Sequence, residues 1–428
     1  MKYLARICFS ILIIFISALF LPRIYDALFI EGVEKTHLFY SPVTQDFIYK
    51  EKTVIPRPDA VVEDHHAELT YATADGRFVD RLEFERYLPF IFYKNMEIRG
   101  MLPLELIGPH GQIHSYSKAE IKKARRVLEL KSKDITGNSP ESRVWPLIES
   151  NPGQARLVFP DDRFRMTKRA MEFVNADANA VDEALTSRYT QALIQAGFQF
   201  PARSVHGRFT VLKPFEQGIF LVDQTHAVFH LKRVDGNPVV VKTPIDASLN
   251  TRHIKSSEDK RRQYYGLLLD GMGRVHLLSR GNYGLIPLDL PGYLPDTMDL
   301  KLIFNPLYCT AVYSNGEIIH AVAFDSAFKP LAKYDHAMSR ATMTRARKIR
   351  DILFPFSLNL GTGSSGYLSL GLHWTPGLAV QGMAAWLGIY LLITLVLRNK
   401  KPGLIPSALA ALLGPFGLLA HAWGGVDD

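Results

Sequence analysis

Apolar residues gather at the two ends of the chain, and the stretch between them alternates. Residues 3–22 carry a single charge, Arg6. Residues 352–397 contain no Asp, Glu, Lys or Arg, and 402–423 is again uncharged. A helix rises ~1.5 Å per residue, so about 20 apolar residues cover ~30 Å of hydrocarbon. The pattern predicts three transmembrane helices. One is an uncleaved N-terminal anchor at 1–22, since no small-residue cleavage signal precedes Pro22. Two form a C-terminal pair within 376–428, at about 377–397 and 403–423. Residues 352–375, with Gly361-Thr-Gly-Ser-Ser-Gly366, read as an ordered Gly/Ser-rich loop on the bilayer; counting it as a fourth span would reverse the parity of everything after it.

The middle, 23–351, is patterned as strands. Segments 71–79, 106–114, 219–231, 267–278 and 311–322 each place a turn rich in Gly, Asn or Asp between two apolar runs. Those turn residues supply the positive φ of tight hairpins, and alternating Val, Ile and Leu supply the strands. The last three recur about every 45 residues, with His230, His276 and His320 as marks, the length of a four-stranded propeller blade. The expected domain is therefore mainly β, propeller-like but irregular; a β-sandwich or an α+β domain fits the same hairpins.

A helical insertion is predicted at about 117–197. Ser117 and Glu120 form a capping box, in which a hydroxyl and a carboxylate satisfy orphan N–H groups. Ile121, Ala124 and Leu128 then keep helical spacing, with Lys122, Lys123, Arg125 and Arg126 on the other side. That basic side is either a solvated face or a surface for anionic headgroups or an acidic partner. A second helical region runs to Gly197, with Asn179 as its internal cap.

Charge then sets direction. The net charge of +8 is in part topological. Lys2 and Arg6 precede the first span, and Arg398-Asn-Lys-Lys401 follows the second. Excess Lys and Arg mark cytoplasmic segments. The N-terminus is thus expected inside, the large domain outside and Asp427 and Asp428 outside. This is the arrangement of a bacterial inner-membrane protein with a periplasmic or extracellular domain. Nucleic acid is not an expected partner, because no recognisable binding motif is present. Cys8 and Cys309 are the only cysteines, so the domain is not a disulfide scaffold.

Candidate chemistry is sparse. His226, His230, His276 and His320 sit in or just past hairpin turns, and a blade array would bring equivalent positions around one axis as a possible metal site. The alternative is that the position repeats because the hairpin repeats, in which case no metal or other cofactor is bound. The G-x-G-x-x-G match at 361–366 lacks the acidic residue and the following soluble helix of a dinucleotide site. Ser115-Tyr-Ser-Lys118 and Ser326-Ala-Phe-Lys329 lack the elements that accompany S-x-x-K in acyl-transfer enzymes. Charges that would mark an ion or substrate path are absent from the expected spans, which argues against a free-standing pump.

Leu38-Phe-Tyr-Ser-Pro-Val43 with Asp46-Phe47, then Asp80 through Arg86-Tyr-Leu-Pro-Phe90, then Met101-Leu-Pro103, resemble an uncharacterised bacterial membrane-protein family, domain of unknown function 4857. The resemblance carries over no catalytic residue. It implies an association with ATP-binding-cassette (ABC) transporter components. The expected function is therefore a membrane-anchored binding or assembly protein, accessory to an ABC-type permease or ATPase, without catalysis of its own. Arg86, Tyr87, Phe90, Lys122, Lys123, Arg125 and Arg126 are its candidate partner surface. The alternatives are an extracytoplasmic metal protein or enzyme working through the strand histidines, and a purely structural envelope protein.

Overall fold

All five hairpins expected from the turn residues are present. Tyr71 pairs with Val79, Leu106 with His114, Ile219 with Leu231, Leu268 with His276 and Ala311 with Val322. The structure is a computed structural model describing residues 2–30, 36–52, 69–175, 177–362, 368–397 and 401–424. Its helices are α1 (Lys2–Phe29), α2 (Arg81–Tyr87), α3 (Tyr93–Ile98), α4 (Lys118–Ala124), α5 (Glu183–Gln195), α6 (Arg345–Leu353), α7 (Pro376–Leu392), α8 (Leu404–Leu413) and α9 (Pro415–Gly424). The chain divides into two units. Unit 1 is Met1–Lys35, Glu51–Pro58 and Met338–Asp428; unit 2 is Thr36–Lys50 and Asp59–Ala337.

Unit 2 is mostly antiparallel sheet. After a first sheet that includes His37–Tyr40, Leu69–Thr73 and Phe78–Val79 comes a three-stranded sheet of Asp162–Met166, Met171–Asn175 and Ala180–Val181. Two four-stranded meanders follow, Ser204–His206 to Asn237–Lys242 and His253–Ser256 to Leu285–Pro287. The last sheet, Asp299–Phe304 to Pro330–Ala337, takes Arg126–Leu130 as a fifth strand. Consecutive sheets share cores. Phe173, Tyr189, Phe229 and Leu231 fill one layer, Phe220, Val222, Leu268 and Leu278 the next, and Leu267, Leu277, Leu300, Leu302 and Val322 the third. Strand Tyr264–Leu269 illustrates the cause: side chains alternate, so Leu267 enters one core and Leu268 the other.

The sequence expectation needs two corrections here. Among the described residues the sheets form no closed barrel or propeller, and their strand numbers are unequal. A repeat of about 45 residues reports the length of one meander, not closure of a ring. The segment at about 117–197 is also not one helical insertion. It holds α4 and α5 with strands Arg126–Leu130, Asp162–Met166 and Met171–Asn175 between them. Asp182 caps α5, its side chain accepting from the Leu185 N–H, whereas Asn179 stands in a left-handed turn before it. Gly197, at φ +89°, follows the C-cap as expected.

Among the described residues, unit 1 contains two helices long and apolar enough to cross a bilayer, Leu4–Phe29 and Pro376–Val396. The first extends well beyond residue 22. The third expected span, 403–423, is broken into α8 and α9 at Gly414 and Pro415. Each is 10 residues long, or about 15 Å, half of what a bilayer core requires. A Cβ on Gly417 would lie 2.4 Å from the Leu409 carbonyl oxygen, so α9 folds back against α8. Segment 352–375 is not a loop throughout: Ser357–Thr362 pairs with Leu368–His373. Residues 363–367, most of the Gly/Ser motif, lie outside the described residues, as do 398–400, 427 and 428.

Candidate functional site

The junction between α4 and the strand after it builds the most distinctive site in unit 2. The capping box forms as expected: Ser117 Oγ accepts from the Glu120 N–H, and Glu120 Oε2 accepts from the Ser117 N–H at 2.7 Å. Ile121 is fully buried and anchors the helix. The helix stops at Ala124 because Arg125 turns extended, at φ −65° and ψ 128°. Arg261 closes that end. Its guanidinium donates to the carbonyls of Lys122, Lys123 and Arg125, and is itself held by both carboxylate oxygens of Asp259, at 2.8 and 3.2 Å. Three carbonyls left orphaned by the helix end are thereby satisfied.

The next residue, Arg126, begins the strand that pairs with Asp299–Phe304, and the register sets it directly opposite Phe304. Its guanidinium lies 4.0 Å from the Phe304 ring centroid and 4.4 Å from that of Tyr264. Nη1 donates to Gln263 Oε1 at 2.8 Å. Nε is buried and has no acceptor, and among the described residues no carboxylate lies within ion-pair distance of Arg126. Burial pulls the guanidinium below the usual arginine range. It remains cationic, since arginine does not deprotonate in proteins. This is a half-buried positive charge held by two rings, with a buried Nε that no acceptor meets.

Two cavities meet at Arg126 and Phe304. The first, about 440 Å³, is walled by Phe39, Tyr40, Phe90, Tyr93 and Phe304, with Lys122 and Arg125 beside Arg126. Arg125 stands 5.2 Å from the Tyr93 ring centroid. The second, about 550 Å³, lies towards Lys123, Arg261, Tyr264 and Tyr308. Both volumes fall in the range of small-molecule sites, and the combination of aromatic walls with a few converging cations suits an anion carrying an apolar or aromatic body.

The candidate partner residues divide. Lys122, Arg125, Arg126 and Phe90 line the first cavity, and Lys123 the second. Arg126 is not on the helix face with the others, because α4 has ended before it. Arg86 is exposed on α2 and outside both cavities. Tyr87 is engaged locally: its hydroxyl donates to Glu83, and Arg77 donates to it at 2.7 Å. The sequence reading missed Tyr93, Arg261, Tyr264 and Phe304. The Arg-Arg-Gln-Tyr run at 261–264 carried a signal, a basic-aromatic cluster next to a predicted strand.

The histidines are not brought together into one site. His230 Nε2 donates to the Gln217 carbonyl at 2.7 Å, and its Nδ1 pairs with the Tyr283 hydroxyl at 2.9 Å. Burial lowers its pKa to about 4. His276 pairs with Asp270 at 3.1 Å beside its own turn. His320 pairs with Asp335 at 2.6 Å on the neighbouring strand. His226 occupies a left-handed turn position, φ 67°. No group of three or more His, Cys, Asp or Glu side chains arranged for a metal occurs among the described residues. Two other histidines, His206 and His253, are buried with ring centroids 5.1 Å apart, and burial holds both well below the ordinary histidine range. A buried triad joins Lys213 Nζ to Glu216 at 2.6 Å and Glu258 at 2.7 Å. Burial raises both carboxyls, against the pull of Lys213.

No curated protein matches this sequence. The model of a family described as a domain of unknown function (DUF4857) matches residues 37–324, which include every residue of both cavities except three in the second, Asp325, Ser326 and Phe328.

Proposed function

The chain belongs to the DUF4857 family, and from that premise we infer that it is a membrane-tethered binding protein without catalysis of its own. The observation that carries the reading is Arg126, a cation clamped between Phe304 and Tyr264 with a buried Nε that has no acceptor. Nε itself is closed to a ligand; what an anion would meet is the guanidinium charge, which borders both cavities and has no carboxylate in ion-pair distance among the described residues. The ligand class is an anion with an apolar or aromatic body: its head group meets Arg126 and Lys122, and its body lies along Phe90 and Tyr93.

The same proposal includes the address. With Lys2 and Arg6 inside, α1 crosses outward, unit 2 lies on the outer side of a bacterial cytoplasmic membrane, and α7 returns to the basic run at 398–401. It also includes the wider role, an accessory subunit of an ABC-type transporter. Purification in mild detergent is expected to recover a permease or ATPase with the chain; recovery of the chain alone would count against that role.

The ligand reading is tested with the full chain in nanodiscs and two fluorinated probes of like shape, 4-(trifluoromethyl)phenyl phosphate and neutral 4-(trifluoromethyl)benzyl alcohol, titrated by ¹⁹F line width. The phosphate is expected to bind about tenfold tighter or more, since a charge-assisted hydrogen bond is worth about 1.5–3 kcal/mol. Arg126→Gln should remove the difference. Equal binding of the two probes, or a phosphate preference untouched by Arg126→Gln, would refute it.

A further inference from the structure

The hairpin of unit 1 is sorted into two faces. Leu358 pairs with Leu372 and Leu360 with Leu370, and paired residues of an antiparallel ladder point the same way. Leu368 keeps the same alternation, so five leucines share one face. Leu360, Leu368, Leu370 and Leu372 are all exposed, as is Trp374 just beyond the strand. The other face carries Ser357, Asn359, Gly361, Gly371 and His373. At the base of the hairpin Arg350 Nη2 donates to Ser357 Oγ at 3.1 Å and His373 lies 3.8 Å from Asp351, while Asn359, Gly361, Gly371 and His373 are exposed. A bare row of leucines on one side of a ribbon is a face awaiting an apolar medium.

We propose that this hairpin is a monotopic membrane element, its leucine face resting in the boundary between headgroups and acyl chains of the leaflet reached by the C-terminal end of α1. Three observations select lipid as the occupant. The hairpin is continuous with both apolar helices: Arg23 near the end of α1 donates to the Leu360 carbonyl at 3.1 Å, and α7 begins three residues after His373. The adjoining helix α6 is bound to the same end of α1, with Arg350 Nε 2.8 Å from Asp26 and the Tyr25 hydroxyl donating to the Ala346 carbonyl at 3.2 Å. It exposes Arg345 and Lys348, cations suited to headgroup phosphates. Trp374 stands between hairpin and helix, where an aromatic belt residue belongs. The proposal rests on α1 and α7 being membrane spans.

The test uses the full chain in vesicles of phosphatidylethanolamine and phosphatidylglycerol. Cys8→Ser and Cys309→Ala provide the background. Nitroxides are placed singly at Leu370→Cys, Leu372→Cys, Asn359→Cys and, on the exposed flank of α7, Val380→Cys. Collision with oxygen, which concentrates in lipid, is compared with collision with a water-soluble nickel chelate. The ratio is expected to be several-fold higher at 370 and 372 than at 359, and high at 380. A water-like ratio at 370 and 372, with a lipid-like one at 380, would overturn the hairpin proposal while sparing the spans. Exclusion of both reagents at 370 with dipolar broadening would mean that a second copy covers the face, and would overturn it as well. A water-like ratio at 380 would overturn the spans and the hairpin with them.

Discussion

Arg126 owes its state to one cross-strand neighbour. Phe304 faces it because Arg126–Leu130 adds to the edge of a sheet whose other strands come from residues 299–337. The sequence marks Arg126 as basic but cannot mark it as clamped, since the ring that clamps it is far away along the chain. Lys122, Lys123 and Arg125 were legible for the opposite reason: a capping box and a helical stripe are local. Buried histidines give this scale its pH dependence. His206, His230 and His253 are held below the ordinary value of 6.5, His230 to about 4 and His253 to about 3, by burial above all. Above pH ~6.5 neither folded nor unfolded chain protonates them. As pH falls below that, the unfolded chain takes up protons that the folded one refuses, so stability drops, by about 1.4 kcal/mol per pH unit for each histidine until its folded value is reached. Glu216 and Glu258 act with the other sign, because their raised carboxyls hold protons in the folded state and lose that stabilisation as pH rises. His230→Gln keeps a donor and an acceptor but does not titrate. Urea unfolding of unit 2 in the full chain at pH 6.5 and pH 4.5 should show a shallower acid loss in this variant, by about one proton; an unchanged slope would refute the assignment.

At the scale of elements, what was legible followed from local chemistry. Each expected hairpin formed because Gly, Asn and Asp fix a turn within a few residues. Helical spacing misled wherever a distant partner outbid it. Leu128 fits the stripe of Ile121 and Ala124, yet it pairs with Leu302 in a sheet. The apolar run at 403–423 reads as a span by composition, but Gly414, at φ 58° and ψ −131°, adopts a backbone open to glycine alone, and Pro415 starts a new helix. A Cβ there would also come within 3.0 Å of Pro355 and 3.2 Å of Trp386. Gly414→Ala should therefore destabilise unit 1 by about 1–3 kcal/mol, read as a lower midpoint in detergent-denaturation of the purified chain. An unshifted midpoint would show that the break between α8 and α9 is not fixed by this residue.

For the whole molecule, the division into two units explains how a chain of near-neutral average hydropathy is built. Unit 1 collects both ends of the sequence, and unit 2 is the β-rich insert between them. The cavities around Arg126 thus lie on an insert joined to unit 1 at both of its ends. The address and the transporter role proposed above depend on unit 2 lying on the outer side of a bilayer crossed by α1, and the hairpin on α1 crossing it at all. The most direct measurement is protease access. With the full chain expressed in a bacterial host, protease added to intact spheroplasts is expected to degrade unit 2 while sparing a cytoplasmic control protein. Survival of unit 2 until the spheroplasts are lysed would contradict the account.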